Sequence, residues 1–223
     1  MNTALFVIAT GEKYHKYIDP LLASARTHFV PHVPFLWTDA PELHNAFQFH
    51  LDNEGYPGTT LHRYHTFLKY KEIITGYDYV FYCDIDMLFV APIAGEEIFA
   101  DGITATLHPG YVGKTGTPER RLESFARIPN EANNKYFCGG FIGGKGESFL
   151  RMAEEIANNV DCDAKSGITA VWHDESHSNW YLYHNPPARI LGPEYCYPEG
   201  CEGVYAGTQI GPPKLVALTK GPR

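Results

Sequence analysis

Apolar residues run from Leu5 to Ala9 and stop at Thr10-Gly11, which predicts a first strand closed by a polar turn. Tyr17, Leu21, Leu22, Ala25 and Phe29 then recur at helical spacing. Val33 to Trp37 and Phe47 to Leu51 read as further strands, and Gly55-Tyr56-Pro57-Gly58 as a loop. Leu61, Tyr64, Phe67, Leu68 and Ile73 mark one broad face of a helix from Thr60 to Ile74, with Arg63 in its first turn. Gly76-Tyr77-Asp78 ends that helix, and the apolar run from Val80 to Val90 reads as a buried strand. Strand and helix alternating in this way predict an α/β fold. Further on, Ile103 to Leu107 reads as a strand, Lys114 to Asn134 as a long loop or short helix, and Tyr136 to Gly144 as an apolar stretch with two glycine pairs. Paired glycines in a strand let another backbone or a ligand come close. Helices are expected over Ser148 to Val160 and Ile168 to Tyr183, and an extended segment between Pro186 and Pro198. The tail from Gly200 is rich in Gly and Pro and is expected to be mobile unless a ligand orders it.

Two anions interrupt the most apolar of these runs. In Cys83-Asp84-Ile85-Asp86-Met87 the carboxylates stand one residue apart, where burial is costly unless a cation offsets it. In an extended chain residues i and i+2 point the same way, so both can face one ion. Hard divalent ions take carboxylate oxygens and share them with substrate phosphates. A strand-end metal site holding a diphosphate is one reading; a turn whose aspartates solvate the strand end is the other. Arg63 suits a phosphate partner or is a surface residue. A second cluster, Trp172-His173-Asp174-Glu175-Ser176-His177, places two carboxylates within an apolar-periodic segment. A carboxylate beside a reacting sugar carbon acts as a nucleophile or stabilises an oxocarbenium ion; the same pattern also fits a helix with a polar side. His108 fits a turn as well as a site, and Lys214, Lys220 and Arg223 would neutralise a diphosphate or merely solubilise the tail.

A chain of 223 residues that is 44% hydrophobic and 20% charged suits one globular domain. The net charge of −8 argues against nucleic acid as a partner. Fifteen tyrosines suit sugar contacts and cores alike. The five cysteines lack zinc-like spacing and are expected to be reduced thiols, with a Cys196–Cys201 pair the lesser alternative. No apolar stretch is long enough to span a membrane and the N-terminus lacks a basic region, so the expected setting is cytoplasmic.

Five segments occur here in an order that resembles one family: Asp84-Ile85-Asp86-Met87, His108-Pro109-Gly110-Tyr111, Tyr136 to Gly144, Trp172 to His177 followed by Asn179-Trp180-Tyr181, and Pro193-Glu194-Tyr195. They are similar to the family 6 retaining glycosyltransferases, which include the histo-blood-group A and B transferases, the α-1,3-galactosyltransferase and the Forssman synthase. The resemblance covers nearly the whole chain. It implies an α/β GT-A fold, with a central mixed β-sheet flanked by helices, as a single catalytic domain over residues 1–223, in which roughly 1–90 form the nucleotide-binding half and 91–223 the acceptor-binding half with a mobile C-terminal tail. The implied reaction transfers N-acetylgalactosamine or galactose from UDP-GalNAc or UDP-Gal to a β-galactoside or fucosylated galactoside, forming an α-1,3 bond.

Residue by residue, it implies that Asp84 and Asp86 bind Mn²⁺, with Mg²⁺ as the alternative, and the donor diphosphate. Some bacterial relatives carry Asn there and work without metal; both Asp here imply metal dependence. Phe6, Ile8, Thr10 and Tyr14 fall where uridine is held, Arg63 where an Arg meets the donor, and Asp174 where the donor sugar is bound. Glu175 matches the catalytic carboxylate on the β face of the anomeric carbon and also borders the acceptor, which His108 and Trp172 would contact. Cys138-Gly139-Gly140 matches the stretch that selects the donor sugar, and Gly140 leaves room for an acetamido group, favouring UDP-GalNAc. Lys220 aligns with a basic residue that closes over the diphosphate; the family usually has a second basic residue several positions later, for which Arg223 either substitutes or does not. The membrane anchor and stem of mammalian members have no counterpart here, so a Golgi setting does not carry over. A haloacid-dehalogenase-like phosphohydrolase also has Asp-x-Asp after an apolar strand, and a non-catalytic carbohydrate-binding module would use the aromatics alone.

Overall fold

The computed structural model describes residues 1–129, 135–201 and 210–219. Along the chain these form β1 (Thr3–Ala9), α1 (Glu12–His15), α2 (Ile18–His28), β2 (Val33–Thr38), β3 (Phe47–His50), α3 (Gly58–Leu61), α4 (Arg63–Leu68), α5 (Lys71–Thr75) and β4 (Tyr79–Cys83). There follow β5 (Met87–Phe89), α6 (Gly95–Ile98), β6 (Ile103–Leu107), β7 (Phe137–Lys145), α7 (Gly146–Lys165), α8 (His173–His184), β8 (Arg189–Leu191), β9 (Tyr197–Pro198) and β10 (Leu215–Ala217).

Every position of β1 is buried. Its parallel neighbours are β2 and β4, and a strand covered on both faces reads as an unbroken apolar run. Ala4, Phe6 and Ile8 face one core cluster, and Leu5, Val7 and Ala9 the other, as a period of two requires. The first cluster is closed by α4, α7 and α8, through Tyr64, Phe67, Phe149, Met152 and Leu182. The second is closed by α2, through Leu21, Leu22 and Ala25. In α7 the buried Phe149, Met152, Ala153, Ile156, Ala157 and Val160 follow helical spacing.

The main sheet has the order β3-β2-β1-β4-β7-β6-β8. Strands β3, β2, β1 and β4 are parallel, and β7 runs antiparallel to both β4 and β6. The fold is thus a mixed α/β sheet flanked by helices, as expected. A second sheet has the order β5-β10-β9.

Four expectations need correction. The helix expected over Thr60 to Ile74 is three short helices, because His62 and Tyr70 leave helical geometry; Tyr70 instead packs its ring 4.5 Å from that of Phe49. The run from Val80 to Val90 is two strands in two different sheets, with Ile85-Asp86 in a turn between them. The turn lies at the C-terminal end of β4 and leaves Asp84 half-buried and Asp86 buried. The helix expected from Ile168 begins only at His173, after Trp172 leaves the helical region and His173 takes φ 52°. The tail is not loose throughout: Leu215–Ala217 is the central strand of the small sheet, and Leu218 N–H donates to the Asp86 carbonyl at 2.8 Å. All five cysteines are free thiols.

Candidate active site

A cavity of about 320 Å³ opens at the C-terminal ends of β1 and β4, the place where open α/β sheets bind ligands. Ile8, Thr10 and Tyr14 line it from the β1 side, Arg63 from α4, and Asp84 and Asp86 from the turn after β4. The turn after β1 is fixed from below: Gly11, at φ 89°, donates its N–H to both Asp39 oxygens at 2.9 and 3.0 Å. His15 meets the same carboxylate at 2.8 Å.

Arg63 is buried, at 5% exposure, not a surface residue. Its Nη1 donates to the Gly139 carbonyl at 2.8 Å, its Nη2 lies 3.7 Å from Asp84, and its Nε lies 2.7 Å from Asp174. Its guanidinium stacks 4.3 Å over the Tyr82 ring, whose hydroxyl donates to Asp84 at 2.6 Å. One cation therefore ties the aspartate turn to the second acidic cluster, which lies 90 residues further along the chain.

That cluster forms the first turn of α8. The left-handed backbone at His173 costs about 1–3 kcal/mol and persists only where its surroundings hold it; the Tyr56 ring packs edge-on against His173 at 5.0 Å. Asp174 is 1% exposed, and its short contact to Arg63 is not aligned as a hydrogen bond, so neither carboxylate oxygen is saturated. Burial pushes its pKa up to about 7 despite the opposing pull of Arg63. Burial likewise raises Glu175, opposed by two donors: the Gly139 N–H at 2.8 Å and the Tyr136 hydroxyl at 2.9 Å.

Gly139 and Gly140 stand between the two acidic groups. A Cβ on Gly139 would lie 3.6 Å from Glu175 Oε2 and 3.7 Å from Arg63 Nη1; one on Gly140 would lie 3.3 Å from Asp84 Oδ2. The Asp84 N–H donates to the Gly140 carbonyl at 2.8 Å, locking the turn to β7. On the far side of Glu175, Trp172 is 45% exposed and donates its indole N–H to the Thr117 hydroxyl at 2.7 Å. His108 packs 4.8 Å from Tyr111 and 5.7 Å from Tyr136, ring to ring.

Nearly all the expected residues thus converge. Phe6 is the exception: it sits wholly inside the core against Trp37 and Phe67, not in the cavity wall. Lys220 and Arg223 lie outside the described residues, and Lys214 pairs with Glu97, away from the cavity wall. Sequence reasoning gave no role to Lys13, Tyr56 and Thr59, which line the cavity, or to Tyr136 and Thr117. A tyrosine three residues ahead of a glycine pair was the one available signal; the loop residues carried none.

The chemistry of the donor set fits a hard divalent ion. Asp84 and Asp86 bring two hard oxygen donors to the wall of one cavity. Among the described residues no three His, Cys, Asp or Glu converge as a metal cluster, and an ion that takes its remaining ligands from phosphate and water needs only the two carboxylates.

A sequence profile of glycosyltransferase family 6 matches residues 58–209. The chain belongs to that family. It is 37% identical over 123 residues to histo-blood group ABO system transferase 1 of Rattus norvegicus, covering 54% of this chain and 35% of the rat protein. It is 27% identical over 206 residues to the O-antigen biosynthesis glycosyltransferase WbnI of Escherichia coli, covering 87% of each. To globoside alpha-1,3-N-acetylgalactosaminyltransferase 1 of Gallus gallus it is 28% identical over 204 residues, or 83% of this chain and 59% of that protein. The match thus spans about a third of the rat enzyme's length and most of the bacterial one's. Family membership replaces the phosphohydrolase and binding-module alternatives. Among the described residues no helix is long and apolar enough to cross a membrane.

Proposed function

We propose that this chain is a metal-dependent retaining transferase of GT-A architecture. It would move GalNAc, or Gal, from a UDP-sugar to a β-galactoside or fucosylated galactoside, forming an α-1,3 linkage. The observation that carries this reading is the buried Arg63, which brings the Asp84–Asp86 turn and the Asp174–Glu175 pair to the two sides of one glycine pair.

In this reading Ile8, Thr10 and Tyr14 hold uridine, and Asp84 and Asp86 hold Mn²⁺, with Mg²⁺ as the substitute. When bound, the ion supplies positive charge to the departing diphosphate. Arg63 is fixed by three partners before substrate arrives, so its charge acts without reorganisation. Asp174 has unsaturated oxygens inside the protein, and a sugar hydroxyl would satisfy them. Glu175 faces the anomeric carbon and stabilises the charge developing on the sugar ring. Retention then follows from a covalent glycosyl–Glu175 ester or from same-face attack, which trapping of a glycosylated peptide tells apart. His108 and Trp172 hold the acceptor. The open space at Gly139-Gly140 favours the acetamido group of UDP-GalNAc over UDP-Gal.

UDP release is the test, with UDP-GalNAc and UDP-Gal offered against lactose, N-acetyllactosamine and 2′-fucosyllactose, with and without Mn²⁺. Release that needs both a galactoside and the metal is expected. Faster turnover of UDP-Gal would overturn the donor preference, and full activity in EDTA the metal assignment.

A further inference from the structure

We propose that Asn179 is a positioning residue that docks α8 on the start of β7 and so holds the Glu175 carboxylate against Gly139. The inference deepens the transferase reading and rests on it for its functional meaning, though not for its geometry.

The ladder between β4 and β7 ends with Cys83 opposite Phe141. The ladder between β6 and β7 has Ala105 opposite Ile142 and then Leu107 opposite Phe137, with the register broken between them. Among the described residues, none of β4 or β6 stands in register with residues 138–140. Side chains take over in that gap. Arg63 Nη1 donates to the Gly139 carbonyl at 2.8 Å, and the Gly139 N–H donates to Glu175 Oε2 at 2.8 Å. Two residues earlier, Asn179 engages both peptide groups of Phe137. Its Oδ1 accepts from the N–H at 2.9 Å, and its Nδ2 donates to the carbonyl at 2.8 Å. The other Nδ2 proton goes to the Glu175 carbonyl at 2.9 Å. Asn179 is 2% exposed and lies behind the cavity wall.

An asparagine amide is a peptide group on a one-carbon stem, with an acceptor and two donors in one plane. An ionised aspartate has no donor for the two carbonyls, and a serine has a single proton. Because the Phe137 N–H can only donate, the amide has one orientation. The spacing fits as well. Residues 175 and 179 stand roughly 6 Å apart along a helix, and residues 137 and 139 roughly 6.7 Å apart along a strand. Two attachments at matching intervals fix the tilt of α8 against β7. The Glu175–Gly139 bond by itself would let the helix pivot about it. Glu175 is the reacting carboxylate of the proposed transfer, and a shift of about 1 Å in such a group is costly to the chemistry.

Asn179→Ala and Ser178→Ala separate positioning from stability. Ser178 is equally buried, at 3% exposure, and meets the Tyr64 hydroxyl at 3.1 Å, tying α8 to α4 and not to β7. Native-state hydrogen exchange without substrate is read at Gly139 and, as the measure of global opening, at Val7 in β1. Asn179→Ala should speed exchange at Gly139 about tenfold more than at Val7, and Ser178→Ala should change the two alike. In kinetics, Asn179→Ala should lower kcat about tenfold, the scale of one weakened hydrogen bond to a charged group. Its donor KM should stay within about twofold, and Ser178→Ala should keep kcat within about twofold. Equal changes at Gly139 and Val7 in Asn179→Ala, or a kcat loss shared by Ser178→Ala, would overturn the proposal. If Asn179→Ala does not fold, Asn179→Ser carries the same expectations, since one hydroxyl cannot serve three partners. If wild-type protein transfers no sugar, the transferase reading fails while the exchange ratio still decides the docking.

Discussion

β7 carries the same dipeptide twice, and the two copies do different work. A side chain on Gly139 or Gly140 would meet other side chains, at 3.3–3.8 Å. A side chain on Gly143 would meet the Val80 carbonyl and the Phe81 ring at 2.4 Å, and one on Gly144 the Gly102 carbonyl at 2.2 Å, with φ 141°. The first pair borders Glu175, Arg63 and Asp84; the second lets three strands lie edge to edge. Identical dipeptides four residues apart in one strand thus border the candidate site at one end and the backbone ladder at the other. The lesson is that a glycine pair is adjustable where its neighbours are side chains and fixed where they are main chain.

The comparison is broken or sharpened by substitution. The largest effect belongs to the group that gives the first pair its meaning: Glu175→Gln should lower kcat on the order of a thousandfold with donor affinity nearly kept, read from initial rates and UDP binding. Near-normal turnover removes Glu175 from the chemistry and makes Gly139-Gly140 as structural as its twin. Next, Gly143→Ala should cost about 3 kcal/mol by overpacking against backbone that cannot move away, read as a urea midpoint; an unshifted midpoint would falsify the division between the pairs.

The third test concerns charge. Asp174 keeps its proton up to about pH 7 in the fold, against an ordinary value of 3.8. Between those values the folded protein binds more protons than the unfolded chain, so this group's contribution is full below about pH 4 and is lost as pH rises through 7. Asp174→Asn should therefore narrow the difference in urea midpoint between pH 5 and pH 8. The smallest effect is expected at Gly140→Ala. Stability should change by less than about 1 kcal/mol, and the kcat/KM ratio of UDP-GalNAc to UDP-Gal should fall about tenfold, the scale of one methyl group in a pocket.

Much of this was legible from residue pattern. β1, β2 and β6 were found because their burial is set by side-chain alternation and apolar runs alone. The convergence of Asp84, Arg63, Asp174 and Glu175 was reached through the order of five segments, since no local spacing reports a contact across 90 residues. What stayed hidden depends on tertiary partners. The breaks at His62 and Tyr70 arise from Tyr70 packing on β3 and from Arg63 turning inward. The turn at Ile85-Asp86 was masked because the residues on either side are apolar enough to continue one strand. Tyr136 was inside a quoted segment, yet nothing in its neighbours says that its hydroxyl meets Glu175. Phe6 shows the converse: a position shared with a family does not fix which way a buried ring faces.

The strand Leu215–Ala217 decides how far this protein can be shortened. It fills the middle of the small sheet, and the residue after it donates to the carbonyl of Asp86. A chain cut before Leu215 strips β5 of its partner and removes the bond to the turn that carries Asp84 and Asp86, although neither acid has been altered. A chain cut after Thr219 keeps every one of those bonds.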